Sequence, residues 1–250
     1  MNRILKFVKN LIYPTKCIFC NTLTEFGKER YICNDCRERL KFCRDFPCCK
    51  KCGKPQISLG EKGICYDCAS KLPKKFKRAA AVVKYDSLSS AGIKRYKSGT
   101  SEISGKVFAI LMAQRMNEIY PNAEFDIIAG VAPNKSRTLK RGIDPVQVIC
   151  RHLSAATGIP YAERVLVRTK EVPKQSELDY EHRIKNLKGA IEMNPKANVE
   201  GKRILLVDDV MTTGTTLNEN SEVLRKGGAK YVCAITFATV AKEPKTYKNK

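Results

Sequence analysis

The stretch Ile204-Leu205-Leu206-Val207-Asp208-Asp209-Val210-Met211-Thr212-Thr213-Gly214-Thr215-Thr216 decides how this chain is read. Four apolar residues, Ile204 to Val207, predict a buried strand that ends at two carboxylates. A small, hydroxyl-rich loop follows, and a helix is predicted to begin at about Thr215. In open α/β sheets, ligands bind at the carboxyl ends of the strands. The hydroxyls of Thr212, Thr213, Thr215 and Thr216 suit a phosphate, Gly214 lets the backbone approach it, and free N–H groups at a helix start favour an anion. Asp208 and Asp209 then sit where carboxylates accept hydrogen bonds from sugar hydroxyls. Helix capping needs only one Asp or Thr and leaves the second acid and the repeated hydroxyls without a use. The loop lacks the G-x4-G-K-[ST] spacing of a P-loop, and no G-x-G-x-x-G fingerprint occurs, so the motif is read as a sugar-phosphate site of another kind.

Around this motif the pattern alternates between strands and helices. Ala79 to Tyr85 reads as a strand, Leu88 to Lys97 as a short helix, and Ile103 to Ile119 as a longer helix with Val107, Ile110, Leu111 and Met116 on one side. Phe125 to Val131 reads as a buried strand, followed by a loop from Ala132 to Lys140. Val146, Ile149, Leu153 and Ala156 recur at helical spacing, and Gly158 stops that helix before Pro160. Further strands are expected at Val165 to Arg168, Ala190 to Met193 and Tyr231 to Phe237. This alternation predicts a mostly parallel sheet covered by helices.

The front of the chain has a different composition. Ten of the twelve cysteines precede residue 69, and eight form four C-x-x-C pairs: Cys17 and Cys20, Cys33 and Cys36, Cys49 and Cys52, Cys65 and Cys68. The second four repeat the first four at an offset of 32 residues, so both blocks read C-x2-C-x12-C-x2-C. Each C-x-x-C puts two thiolates on one knuckle, and two knuckles complete the tetrahedral shell that zinc prefers. Two structural zinc sites are therefore expected, with no open coordination position for catalysis. A secreted disulfide framework is the competing reading; no export signal supports it. The spacing leaves open whether pair one binds with pair two or, crossed, with pair three. Gly53 fits a knuckle turn, Cys43 and Cys48 are spare, and Cys150 and Cys233 sit in core patterns. The expected units are residues 1–75, a leading helix with the double zinc module, and residues 76–250.

Of 250 residues, 43% are hydrophobic, enough for a medium domain plus a small one. No apolar run approaches the roughly 18 residues needed to span a bilayer. Met1 to Pro14 reads as a short amphipathic helix with Ile4, Leu5, Val8 and Ile12 on one face, and a cytoplasmic protein is expected. Lys and Arg number 47 against 25 Asp and Glu, a formal net charge of +22. Residues 1–78 hold 19 basic and 7 acidic residues, net +12. Arg37, Arg39, Lys41, Arg44, Lys50, Lys51 and Lys54, interleaved with Phe42, Phe46 and Tyr66, suit nucleic-acid contact. They equally suit a solvated face whose aromatics fill the gap between metal sites. His152, in a helix pattern, and His182 read as structural or solvent-facing.

The thirteen residues Ile204 to Thr216 resemble the PRPP loop of type I phosphoribosyltransferases, and most of the 250 residues resemble the ComF family, which joins a double zinc ribbon to a phosphoribosyltransferase-like domain. Lys94-x-Tyr96-Lys97 with Gly99, the strand and proline from Ile127 to Pro133, and Gln175, Leu178, Arg183 and Asn186 fit in order. The resemblance implies an α/β fold of the type I phosphoribosyltransferase kind, with a mostly parallel sheet and flanking helices behind a small zinc-ribbon module. It implies a Mg-dependent PRPP site in which Asp208 and Asp209 are the catalytic carboxylates and Thr212, Thr213, Gly214, Thr215 and Thr216 hold the 5-phosphate. Ala132, Pro133, Asn134 and Lys135 would lie on the pyrophosphate side, with Arg137, Lys140 and Arg141 as cations within reach. After Arg141-Gly142 the family continues aromatic, Asn, Gln, whereas this chain has Ile143, Asp144 and Pro145.

The activity implied is displacement of pyrophosphate from PRPP by a nitrogen nucleophile that no residue here identifies. ComF proteins are associated with natural competence, so the resemblance also implies single-stranded DNA and the competence machinery as partners. A non-enzymatic DNA-binding or sensing protein that retains the PRPP pocket is the second reading. An interaction protein whose ribbons dock a helicase or another partner is the third.

Overall fold

The computed structural model describes residues 14–24, 31–70, 74–169 and 189–241. The expected helix over Met1 to Pro14, and Gln175, Leu178, His182, Arg183 and Asn186, lie outside the described residues, apart from Pro14. Two short helices belong to the cysteine-rich front, α1 (Asn34–Arg39) and α2 (Tyr66–Ser70). Then follow β1 (Arg78–Lys84), α3 (Ser87–Gly99), α4 (Glu102–Ile119), β2 (Ile127–Gly130), α5 (Lys135–Arg141) and α6 (Pro145–Thr157). The chain continues through β3 (Leu166–Arg168), β4 (Ile191–Met193), β5 (Arg203–Met211), α7 (Thr215–Lys226) and β6 (Tyr231–Thr239).

β1, β6, β5 and β2 pair in that order, all parallel, with Leu206 opposite both Ala129 and Ala234. Parallel strands are covered on both faces, which is why Ile204 to Val207 and Val232 to Ala238 run almost continuously buried instead of alternating. α4 and α6 pack on each other and on the sheet, while α7 packs on β5, β6 and β4. Phe108 on α4 and Phe237 on β6 stack with ring centroids 3.9 Å apart in the middle of this core.

The cysteine-rich front is built into the same core. Phe19, between Cys17 and Cys20, is fully buried, 6.2 Å from the rings of both Phe108 and Phe237. β1 is an edge strand, and an unpaired edge invites pairing with another chain. Here the ribbon covers it: Ala79 N–H donates to the Lys51 carbonyl at 2.8 Å, Lys84 N–H donates to the Lys41 carbonyl at 2.8 Å, and Phe42 bridges to Val83. Gly53 makes the approach possible. Its φ is +69°, and a Cβ there would lie 2.5 Å from the Ala79 carbonyl oxygen.

Three expectations are corrected. The segment expected as a loop from Ala132 to Lys140 becomes helix α5 at Lys135, hidden in the sequence because Lys-Ser-Arg-Thr-Leu-Lys-Arg has one apolar residue, and Leu139 is 83% exposed. The strand expected at Ile204 to Val207 continues to Met211, so both acids lie within it. β3 and β4 do not join the parallel sheet; they form a separate antiparallel pair, with Val167 opposite Glu192.

Candidate functional site

The eight knuckle cysteines form two tetrads in sequential pairing: Cys17, Cys20, Cys33 and Cys36, then Cys49, Cys52, Cys65 and Cys68, with all sulfurs of a set within 4.8 Å of one another. Cys20 to Cys33 and Cys52 to Cys65 are each 3.7 Å apart between sulfurs. A tetrahedron with Zn–S bonds of about 2.3 Å has edges of about 3.8 Å, so the sulfurs already stand at zinc-binding separation. Backbone N–H groups aim at them as well, from Cys36 to the Cys33 sulfur at 3.4 Å and from Cys65 to the Cys49 sulfur at 3.2 Å. Hydrogen bonds with Cys52 and Cys68 hold the Cys49 thiol far below the usual thiol value, while the bonds with Cys49 and Cys68 push Cys52 far above it. Thiolates so crowded repel one another, and a bound dication would offset their charge while the thiol protons are released. The donor set fits two structural zinc ribbons. Cys43 is buried beside Cys48, whose thiol donates to the Cys43 carbonyl at 3.1 Å, and Cys150 and Cys233 are core residues.

The second site is a cleft of about 560 Å³ at the carboxyl ends of β2 and β5. It is lined by Asp208, Asp209, Thr212, Gly214 and Thr216 from the motif, by Ala132, Pro133 and Asn134 after β2, and by Arg141. Gly214, at φ +81°, is the N-cap of α7, a left-handed conformation that glycine adopts freely. Thr213 and Thr215 do not line the cleft. Their hydroxyls bond each other at 2.8 Å and so brace the turn instead. Lys135 and Lys140 are exposed on α5 and do not line the cleft, and the Arg137 side chain lies outside the described residues.

The carboxylates differ in surroundings. Lys97, at the end of α3, places its ammonium 2.7 and 2.8 Å from the two Asp209 oxygens. Asp208 accepts the Asp209 N–H at 2.8 Å, and burial followed by the Asp209 charge pushes its pKa up to about 8, against the pull of Lys97. Asp144, in the segment that departs from the ComF pattern, caps α6 by accepting the Val146 N–H at 3.0 Å, with Pro145 at the first helical position. It also lines the cleft, and burial raises its pKa to about 6. His152 bonds Glu102 at 2.7 Å, away from the cleft.

Asn220 and Arg168 at this site carry no signal in the sequence, whereas Lys94 and Tyr96 stand in the Lys94-x-Tyr96-Lys97 stretch of the resemblance. Asn220 on α7 is fully buried; its oxygen accepts the Ala132 N–H at 2.8 Å and its nitrogen donates to the Thr216 carbonyl at 2.7 Å, tying the two ligand loops together. Lys94 and Arg168 bring further cations to the lining, and Tyr96 donates to the Pro145 carbonyl at 2.6 Å, fixing α3 against α6. Lys54, counted among the surface cations of the ribbon, is instead only 7% exposed and donates to the Thr212 carbonyl.

Comparison with known families agrees with this geometry. The model of the Phosphoribosyl transferase domain matches residues 101–250, more than half of the chain. The chain belongs to that family. The Double zinc ribbon domain matches residues 8–69, so this phosphoribosyltransferase-family chain carries both parts of the ComF arrangement. It is 26% identical to "Competence protein F" of Haemophilus influenzae over 221 residues, covering 87% of this chain and 93% of that protein. It is 27% identical to "DNA utilization protein YhgH" of Escherichia coli K12 over 225 residues, covering 89% and 96%. A shorter match, 36% identical over 85 residues, covers 32% of this chain and 16% of an amidophosphoribosyltransferase of Methanothermobacter thermautotrophicus. Among the described residues no helix is long and apolar enough to cross a membrane.

Proposed function

We propose that this chain binds PRPP, or a closely related sugar phosphate, together with Mg(II) in the cleft at the end of β5. One observation carries the reading: paired carboxylates, a threonine-rich turn and the start of α7 line one cleft with Arg141, Lys94 and Lys97 around it. Thr212, Gly214 and Thr216 would take the 5-phosphate, where hydroxyls and helix N–H groups meet an anion. Asp209 and an ionised Asp208 would accept the ribose hydroxyls, and Ala132, Pro133, Asn134 and Arg141 would face the pyrophosphate. Mg(II), held by Asp208 or Asp209 with ligand oxygens, would supply charge neutralisation for the pyrophosphate. In such a site the protein's contribution to transfer is to orient the ribose and to stabilise the departing pyrophosphate with Arg141 and its neighbouring cations. Incubation with PRPP, Mg(II) and a panel of bases, with pyrophosphate measured, separates transferase from binder: base-dependent release establishes the enzyme, and binding without release establishes a sensor.

A second reading concerns nucleic acid. The net charge of +12 over residues 1–78, and the exposed Arg37, Arg39, Lys41, Arg44 and Lys50, suit a single-stranded DNA backbone. Tyr66, 79% exposed, offers a stacking face, whereas the Phe42 ring faces the Arg44 guanidinium at 4.9 Å and the Phe46 ring faces the Lys84 ammonium at 4.8 Å. The two long relatives, one named a competence protein and the other a DNA utilization protein, favour this reading.

A further inference from the structure

We infer that Lys54, on the third cysteine knuckle, is a positioning residue for the phosphate-binding turn and couples the second cysteine tetrad to ligand binding. The inference rests on the reading of Thr212 to Thr216 as that turn.

The knuckle is rigid at both ends. The Lys54 carbonyl accepts the Cys49 N–H at 3.0 Å and the Gly53 N–H donates to the Cys49 carbonyl at 2.8 Å, so the Lys54 backbone is closed into the loop that carries two of the four tetrad sulfurs. The same knuckle is docked on β1 through the Lys51 carbonyl and through Gly53, where no Cβ fits. From this base the Lys54 side chain crosses to the other part of the molecule and donates to the Thr212 carbonyl, 158 residues away in sequence.

That carbonyl is where the turn needs holding. On one side of it Met211 is fixed to β6, its carbonyl accepting the Val240 N–H at 3.0 Å and the Thr239 hydroxyl at 3.1 Å. On the other side Gly214 starts α7, its carbonyl accepting the Asn218 N–H at 2.9 Å. Thr212 stands between these anchors and lines the cleft. Because a peptide is planar, a carbonyl held towards the ribbon also fixes the Thr213 N–H in that plane. The lysine reaches the turn as a hydrogen-bond donor, which an apolar side chain of similar length cannot be.

The test compares the wild-type chain with Lys54→Met, Lys54→Gln and Lys54→Arg by calorimetric titration with PRPP and Mg(II), alongside zinc content and thermal melting. Lys54→Met should keep two zinc ions and bind PRPP roughly tenfold more weakly, the cost of fixing one backbone residue of the turn on binding. Lys54→Arg should recover part of that loss, which a filler of space would not do. Equal affinity of Lys54→Met and wild type overturns the inference and leaves the PRPP site standing. A wild-type chain that does not bind PRPP removes both. Loss of zinc from both Lys54→Met and Lys54→Gln would make Lys54 a folding residue of the ribbon and likewise overturns it.

Discussion

Asp208 should make PRPP binding steeply dependent on pH, and Asp208→Asn should remove most of that dependence. Burial and the Asp209 charge raise its pKa to about 8 from an ordinary 3.8, so near neutrality the ligand-free site holds Asp208 largely protonated. If ribose hydroxyls and Mg(II) need the carboxylate, each pH unit below that value lowers apparent affinity tenfold, equal to about 1.4 kcal/mol. Between pH 9 and pH 6 the loss is on the order of a hundredfold, with uptake of one proton on release of ligand. Stability runs the opposite way. A carboxyl whose folded pKa lies above its unfolded value imposes no penalty below about pH 4, and the ligand-free fold loses stability as pH rises until the folded value near 8 is passed. Asp208→Asn, which keeps the shape and drops the charge, should therefore stabilise the ligand-free fold more at pH 8 than at pH 5, by about 4 kcal/mol, read as a larger rise in the melting midpoint at pH 8. Calorimetry at pH 6 to 9 in buffers of differing ionisation enthalpy, with melting of both proteins at pH 5 and 8, measures the two effects. The ligand's own phosphate titration remains in the variant and is subtracted. An affinity that varies with pH equally in wild type and variant would refute the reasoning.

Further outcomes follow from other contacts. Metal analysis should find two zinc ions per chain, and Cys49→Ser should leave one; a folded chain with one zinc or fewer contradicts the two-site account. Gly53→Ala places a Cβ 2.5 Å from the Ala79 carbonyl in a left-handed backbone and should cost about 2–4 kcal/mol in denaturant unfolding. A cost under 0.5 kcal/mol would mean that the ribbon does not seat on β1 as described. Charge reversal of the exposed Arg37, Arg39 and Lys41 should weaken single-stranded DNA binding and flatten its salt dependence by about 0.7 per lost contact, read by fluorescence anisotropy at several salt concentrations. Removal of the ribbon up to Arg78 is the poorer test, because it strips Phe19 from the core and uncovers the β1 edge.

What the sequence revealed and what it hid divides by distance along the chain. The turn from Asp208 to Thr216 and the four cysteine pairs are legible because their chemistry is local: hydroxyls, acids and thiols must stand at fixed short spacings to act together. Asn220, Lys97 and Lys54 reach partners 88, 112 and 158 residues away, and nothing near them in the sequence names those partners. By its place in a basic module next to aromatics Lys54 reads as a surface cation, and only the fold turns it inward. Helix α5 is invisible in the sequence because its seven residues carry no apolar stripe, the signal on which helix reading depends. Asp208 and Asp209 mark the end of an apolar run and so read as the end of the strand; pairing of Asp208 with Thr236 and of Val210 with Ala238 extends β5 through them. Asp144-Pro145, a departure from the ComF pattern, is explained locally as the cap and first residue of α6.

The most direct test of the account is calorimetric titration of the full chain with PRPP at pH 8, with and without Mg(II), in wild type and in Asp208→Asn/Asp209→Asn. The account predicts saturable binding of one PRPP per chain that is strengthened by Mg(II) and lost in the double variant while both zinc ions remain. No binding to the folded, zinc-replete wild type, or equal binding by the double variant, would contradict it.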